Sequence, residues 1–85
     1  MNKERGIIYF SAPWCQPCKM LGPIIDGLIS KGMQVKKVNC DYDASMVQKY
    51  NVKSIPTLIL TDLEGNEIGR KVGALTEGQI LEFYG

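Results

Sequence analysis

The sequence predicts a small α/β domain whose strand, helix, strand, hairpin and final helix build a central four-stranded mixed sheet flanked by helices. Three observations carry that reading. Ile7-Ile8-Tyr9-Phe10 is a continuous apolar run of the kind buried on both faces of a sheet. Met20, Leu21, Ile24, Ile25, Leu28 and Ile29 then recur at helical spacing. Finally, the strand-like segments at 57–61 and 67–72 flank the turn Asp62-Leu63-Glu64-Gly65-Asn66, the signature of an antiparallel hairpin.

The first strand spans Gly6 to Ser11 and is broken by Ala12-Pro13-Trp14. A helix follows from about Cys15 to Ser30. Pro23 should kink it, because proline lacks an amide hydrogen and its ring crowds the preceding turn, and Gly32 fits its C-terminal stop. Val35 to Cys40 reads as the second strand, reached by a right-handed parallel crossover. Asp43 or Ser45 caps a short helix through Tyr50, with Met46, Val47 and Tyr50 inward and an end near Asn51. Thr57 to Thr61 and Glu67 to Val72 form the hairpin. Thr76 caps the last helix, whose apolar positions include Ile80, Leu81 and Phe83.

Eighty-five residues suffice for a single domain, 1–85, and not for two cores. A hydrophobic fraction of 45% with 22% charge excludes the disordered and low-complexity classes. The net charge of +1 argues against nucleic acid and anionic membrane as partners. A polar start and only a short apolar run after it predict no signal peptide and no membrane span, hence the cytoplasm. There is no histidine, so the usual general base and the commonest metal ligand are both missing.

The chemistry is concentrated in Trp14-Cys15-Gln16-Pro17-Cys18-Lys19, at the junction of a buried strand and a helix. Helix N-terminal amides and the macrodipole favour negative charge, so Cys15 is held more readily as thiolate, the attacking form in disulfide exchange. Cys18, one turn later, is placed to resolve the mixed disulfide. A metal half-site is the competing reading, but one further cysteine and no histidine cannot complete a four-ligand zinc shell.

The order of elements and four motifs resemble the thioredoxin family over nearly the whole chain. Trp14 to Lys19 is similar to the family's WCGPCK site with Gln16 for glycine, Pro23 to its kinking proline, Ile55-Pro56-Thr57 to its cis-proline loop, and Lys71-Val72-Gly73-Ala74-Leu75 to its KVGAL segment. The resemblance implies a thioredoxin-like fold without the family's leading strand and helix. Pro56 read alone is a strand-initiating proline. The resemblance makes it cis, turning the Ile55 main chain toward the cysteines to pair with an extended substrate. Trp14, alone a candidate for core packing, becomes a half-exposed docking surface. Gly73 and Ala74 either form a simple turn or let a partner's backbone approach the sulfurs.

Two departures stand out. The family's buried aspartate, six residues before the first active-site cysteine, is replaced by Tyr9, and a phenol with a pKa of about 10 is a poor base at neutral pH. Lys37 matches the lysine that pairs with that aspartate. Without it, Lys37 should snorkel outward or find another acceptor, such as the Tyr9 hydroxyl. The second departure is length, which favours the glutaredoxin outline although no glycine-pair glutathione signature follows Val72. Cys40 is expected to be a packed core thiol, with a regulatory or dimer-forming role as the alternative.

The resemblance implies a monomeric, cytosolic dithiol-disulfide oxidoreductase with no bound cofactor. Its substrates would be disulfide-containing proteins such as ribonucleotide reductase. Reducing equivalents would come from NADPH through thioredoxin reductase, or from glutathione in a glutaredoxin-like reading. Two other readings stay open: a redox-independent binding subunit using the apolar surface around Trp14, Pro17, Ile55 and Gly73, and an iron-sulfur carrier using Cys15 across a dimer.

Overall fold

Arg5–Ser11 forms β1, an interior strand of the sheet in the computed structural model, which describes residues 2–85. The chain continues through α1 (Gln16–Ser30), β2 (Val35–Asn39), α2 (Ala44–Lys49), β3 (Thr57–Asp62), β4 (Glu67–Val72) and α3 (Glu77–Tyr84). The sheet order is β2-β1-β3-β4. β1 runs parallel to β2, with Ile7 opposite Val35 and Phe10 opposite Val38, and antiparallel to β3, with Ile8 opposite Ile59. β3 and β4 form the expected hairpin, with an irregularity between Leu60 and Thr61.

Alternation along β1 divides the core between the two faces of the sheet. Ile7 and Tyr9 meet Leu21, Ile25 and Leu28 of α1 and Ile80 and Tyr84 of α3. Ile8 and Phe10 face Val38, Ile59 and Tyr50, where the Phe10 and Tyr50 rings meet edge to face at 6.2 Å. The central strands therefore carry unbroken apolar runs, while β4, an edge strand exposed at every position but Gly69, does not.

Helix ends follow local chemistry. α1 closes in a Schellman turn, with Gly32 N–H bonding the Ile29 carbonyl, Met33 N–H bonding that of Leu28, and Gly32 at φ 105°. α2 ends the same way with Asn51 in the left-handed position, and begins at Asp43, whose carboxylate accepts from the Met46 amide at 3.2 Å. Thr76 and Gln79 form a reciprocal capping box on α3. Asp62 organises the hairpin turn by accepting from the amides of Glu64 and Asn66, and these bonds hold its carboxyl below the ordinary range.

Several expectations are corrected. β1 begins one residue earlier than read, β2 stops at Asn39, and β3 extends to Asp62. Met20 and Leu81 are exposed, because the helical stripe they were read into is narrower than the apolar composition suggests. Tyr84 is a core residue that apolar patterning misses. Its ring is buried while its hydroxyl donates to the carbonyls of Asn2 and Arg5 at 2.6 and 3.1 Å, which satisfies its polar tip.

Candidate active site

Cys15 stands before α1 as its N-cap, a position more precise than the helical start read from the sequence. The Ala12-Pro13-Trp14 segment turns the chain there, and the Cys15 amide donates to the Ala12 carbonyl at 3.1 Å. Pro17 falls in the first turn, where a missing amide hydrogen costs no intrahelical bond. Cys15 Sγ plays the part that a serine or aspartate oxygen plays at other caps, accepting the Cys18 N–H at 3.3 Å. The two sulfurs are joined as a disulfide, with Cα atoms 5.2 Å apart. Both cysteines are about 5% exposed, whereas Gln16 and Pro17 between them lie on the surface.

Beneath this turn lies the position where a family aspartate was expected. Tyr9 is buried, and its hydroxyl donates to the Cys18 carbonyl at 3.2 Å. Burial pushes the Tyr9 phenol above its ordinary value. The Ser11 hydroxyl opposes that shift and the Asp26 charge adds to it. The Tyr9 hydroxyl is therefore not the acceptor for Lys37. Lys37 instead makes an ion pair with Asp26 of α1, an acceptor the sequence did not single out because the two residues come together only when α1 packs across β2. A cleft of about 270 Å³ opens beside Cys18, with Tyr9, Ser11, Lys19, Lys37 and Asn39 on its walls.

On the other side of the cysteines, Trp14 is 67% exposed, and its indole N–H is held by both carboxylate oxygens of Asp41 at 3.1 Å. Asp41 lies 27 residues from Trp14 and left no local signal in the sequence. Trp14 and Ile55 line a groove of about 320 Å³ together with Val47, Val52, Lys53 and Cys40. The Ile55–Pro56 peptide is cis, as the resemblance implied, and Pro56 is buried. Among the described residues, neither the N–H nor the C=O of Ile55 is taken by another backbone group. Gly73 has φ 98° and donates its amide to the Pro56 carbonyl at 2.9 Å, which ties the loop after β4 to the cis-proline loop. Ala74 is exposed beside it.

Cys40 packs against the Ile8, Phe10 and Val38 cluster as expected, but it is only partly buried and also lines the groove wall. Partial burial, together with the Asp41 carboxylate, pushes its thiol up, while a bond from the Ser11 backbone opposes this. Among the described residues no three metal-ligating side chains converge, and no helix is long and apolar enough to cross a membrane.

Residues 1–84 match the thioredoxin family model. The chain is 35% identical over 86 residues to a thioredoxin of Buchnera aphidicola subsp. Baizongia pistaciae, covering 96% of this chain and 77% of that protein. It is 42% identical over 69 residues to a thioredoxin of Chlamydia pneumoniae, covering 79% of this chain and 67% of that one. Among solved structures, a mutant thioredoxin from Halobacterium salinarum NRC-1 superposes with a TM-score of 0.87 at 28% identity, covering 95% of this chain and 72% of that chain.

Proposed function

The chain belongs to the thioredoxin family and is a thiol-disulfide oxidoreductase, and from that premise we propose that it reduces protein disulfides in the cytoplasm as a monomeric, single-domain carrier. Cys15 attacks a substrate disulfide. Cys18 then displaces the reduced product and closes the Cys15–Cys18 disulfide. The observation that carries this assignment of roles is the cap itself, since Cys15 Sγ already accepts the Cys18 amide at the N-terminus of α1, where a thiolate is stabilised.

Trp14, Ile55, Pro56, Gly73 and Ala74 form the docking surface. Trp14 offers a fixed, exposed ring, and the free Ile55 main chain offers hydrogen bonds to an extended segment. Gln16 and Pro17 add no charge between the cysteines, which suits a reductant, because no cation there further stabilises the thiolate. Family membership implies disulfide-bearing proteins and thioredoxin reductase as partners. NADPH through that reductase is the proposed donor, ahead of glutathione, and ribonucleotide reductase is a candidate acceptor.

Insulin reduction tests the proposal. The wild-type protein should turn over with NADPH and thioredoxin reductase faster than with glutathione, and Cys15→Ser should be inactive with either. Failure of the wild type with the reductase, with glutathione and with dithiothreitol would remove the reductase function. Turnover with glutathione alone would reassign the donor.

A further inference from the structure

Before Cys18 can attack a mixed disulfide its thiol must lose a proton, and its surroundings are notable for what can accept one. From β1, Tyr9 meets it as a hydrogen-bond donor to its own carbonyl. From β2, Lys37 faces the cleft as a cation, and from α1 so does Lys19. Asp26, two turns further along α1, is exposed and taken up by Lys37. Cys15 itself is the sulfur to be attacked. The chain has no histidine, and burial holds the Tyr9 phenol protonated at neutral pH. What does reach Cys18 is the solvent-open cleft of about 270 Å³, room for several waters and lined by the polar groups of Ser11 and Asn39.

We propose that Cys18 gives its proton directly to water in this cleft, so that resolution runs without a side-chain base, and that Tyr9 is a positioning residue holding the first turn of α1 through the Cys18 carbonyl. This rests on the oxidoreductase reading. In the step, water or hydroxide takes the Cys18 proton and the thiolate attacks Cys15 Sγ. The Cys15–Cys18 bond forms as the bond from Cys15 to the substrate sulfur breaks. The electron pair leaves on the substrate sulfur, which solvent protonates. Lys19 contributes a positive charge at the cleft that favours the thiolate, whereas that of Lys37 is compensated by Asp26.

Single-turnover reaction of the reduced protein with the disulfide of thionitrobenzoate separates the two halves. The first release reports attack by Cys15 and the second reports resolution by Cys18. In the wild type the second release should rise about tenfold per pH unit from about pH 5.5 to 7.5, as thiolate fraction does below a thiol pKa of about 8.5. Tyr9→Phe should keep that slope and slow the second release several-fold more than the first. Tyr9→Asp should flatten the profile and accelerate resolution about tenfold near pH 6. A flat wild-type profile would reveal an internal base and overturn the proposal. Equal effects of Tyr9→Phe on both releases would remove Tyr9 from its positioning role. If Tyr9→Asp fails to fold, the wild-type and Tyr9→Phe profiles decide alone. Absence of the first release would instead sink the oxidoreductase reading beneath it.

Discussion

Cys18 donates its backbone N–H to Cys15 Sγ across 3.3 Å, so the amide of the resolving residue sits on the atom that attacks. The bond places Cys15 within the positive end of α1. Cys40 has the opposite environment, partial burial and the neighbouring Asp41 carboxylate, and its thiol is pushed up. In the reduced protein at pH 7, iodoacetamide should therefore alkylate Cys15 at least about tenfold faster than Cys40, since the thiolate is the reacting form. Peptide mapping by mass spectrometry reads the ratio, and comparable rates would contradict the assignment.

Tyr9 links the fold to alkaline pH. Its folded-state pKa lies above its unfolded one, so its contribution is complete below about pH 10 and is lost as pH climbs through the folded value. Tyr9→Phe gives up the bond to the Cys18 carbonyl and should cost about 0.5–1.5 kcal/mol at pH 7. The gap between wild type and variant should narrow above about pH 10, measured as urea midpoints. A gap that widens there would mean that the phenol is not protonated in the fold.

Glu67 works at the acid end. The Arg70 guanidinium, bonded through two nitrogens at 2.6 and 2.7 Å, holds its carboxyl below the ordinary range against a smaller opposing effect of burial. That stabilisation is present above the unfolded value of about 4.3 and is lost as pH falls through the folded one. The pair is partly exposed, so Glu67→Gln should cost no more than about 1 kcal/mol at pH 7 and nothing near pH 2. Arg70 also donates to the Tyr50 carbonyl at 2.6 Å, a bond the variant keeps. Chemical denaturation at the two pH values checks the difference.

Thr76 supports α3 at its first turn, and α3 in turn seats Ile80 and Tyr84 against the sheet. Thr76→Ala removes the bond to the Gln79 amide and should cost about 1 kcal/mol. In a domain of this size that corresponds to a Tm lower by about 4–8 °C. An unchanged Tm would show that the capping box contributes nothing measurable.

Elements whose signals are local were legible in the chain. The apolar run of β1, the Thr76 and Asp43 caps, the Gly32 stop and the cysteine spacing each rest on residues a few positions apart. Pro56 was legible through its motif rather than its chemistry. What stayed hidden depends on packing across the sheet. Asp26 meets Lys37, and Asp41 meets Trp14, only after α1 and the β2–α2 connection are in place. Tyr9 was singled out by its place in the family motif, but which acceptor its hydroxyl would find was set by where the first turn of α1 comes down. Cys40 packs on the core as expected, but its place on the groove wall stayed hidden for a similar reason.

Trapping with Cys18→Ser tests the division of labour between the two cysteines most directly. The variant keeps the backbone amide that faces Cys15 and loses the thiol that resolves. Mixed with a disulfide-bearing protein such as insulin, it should accumulate a stable mixed disulfide on Cys15, identified by mass spectrometry of the alkylated digest, which the wild type does not retain. An adduct on Cys40, or no adduct while the wild type still reduces insulin, would contradict the assignment of Cys15 as the attacking thiol.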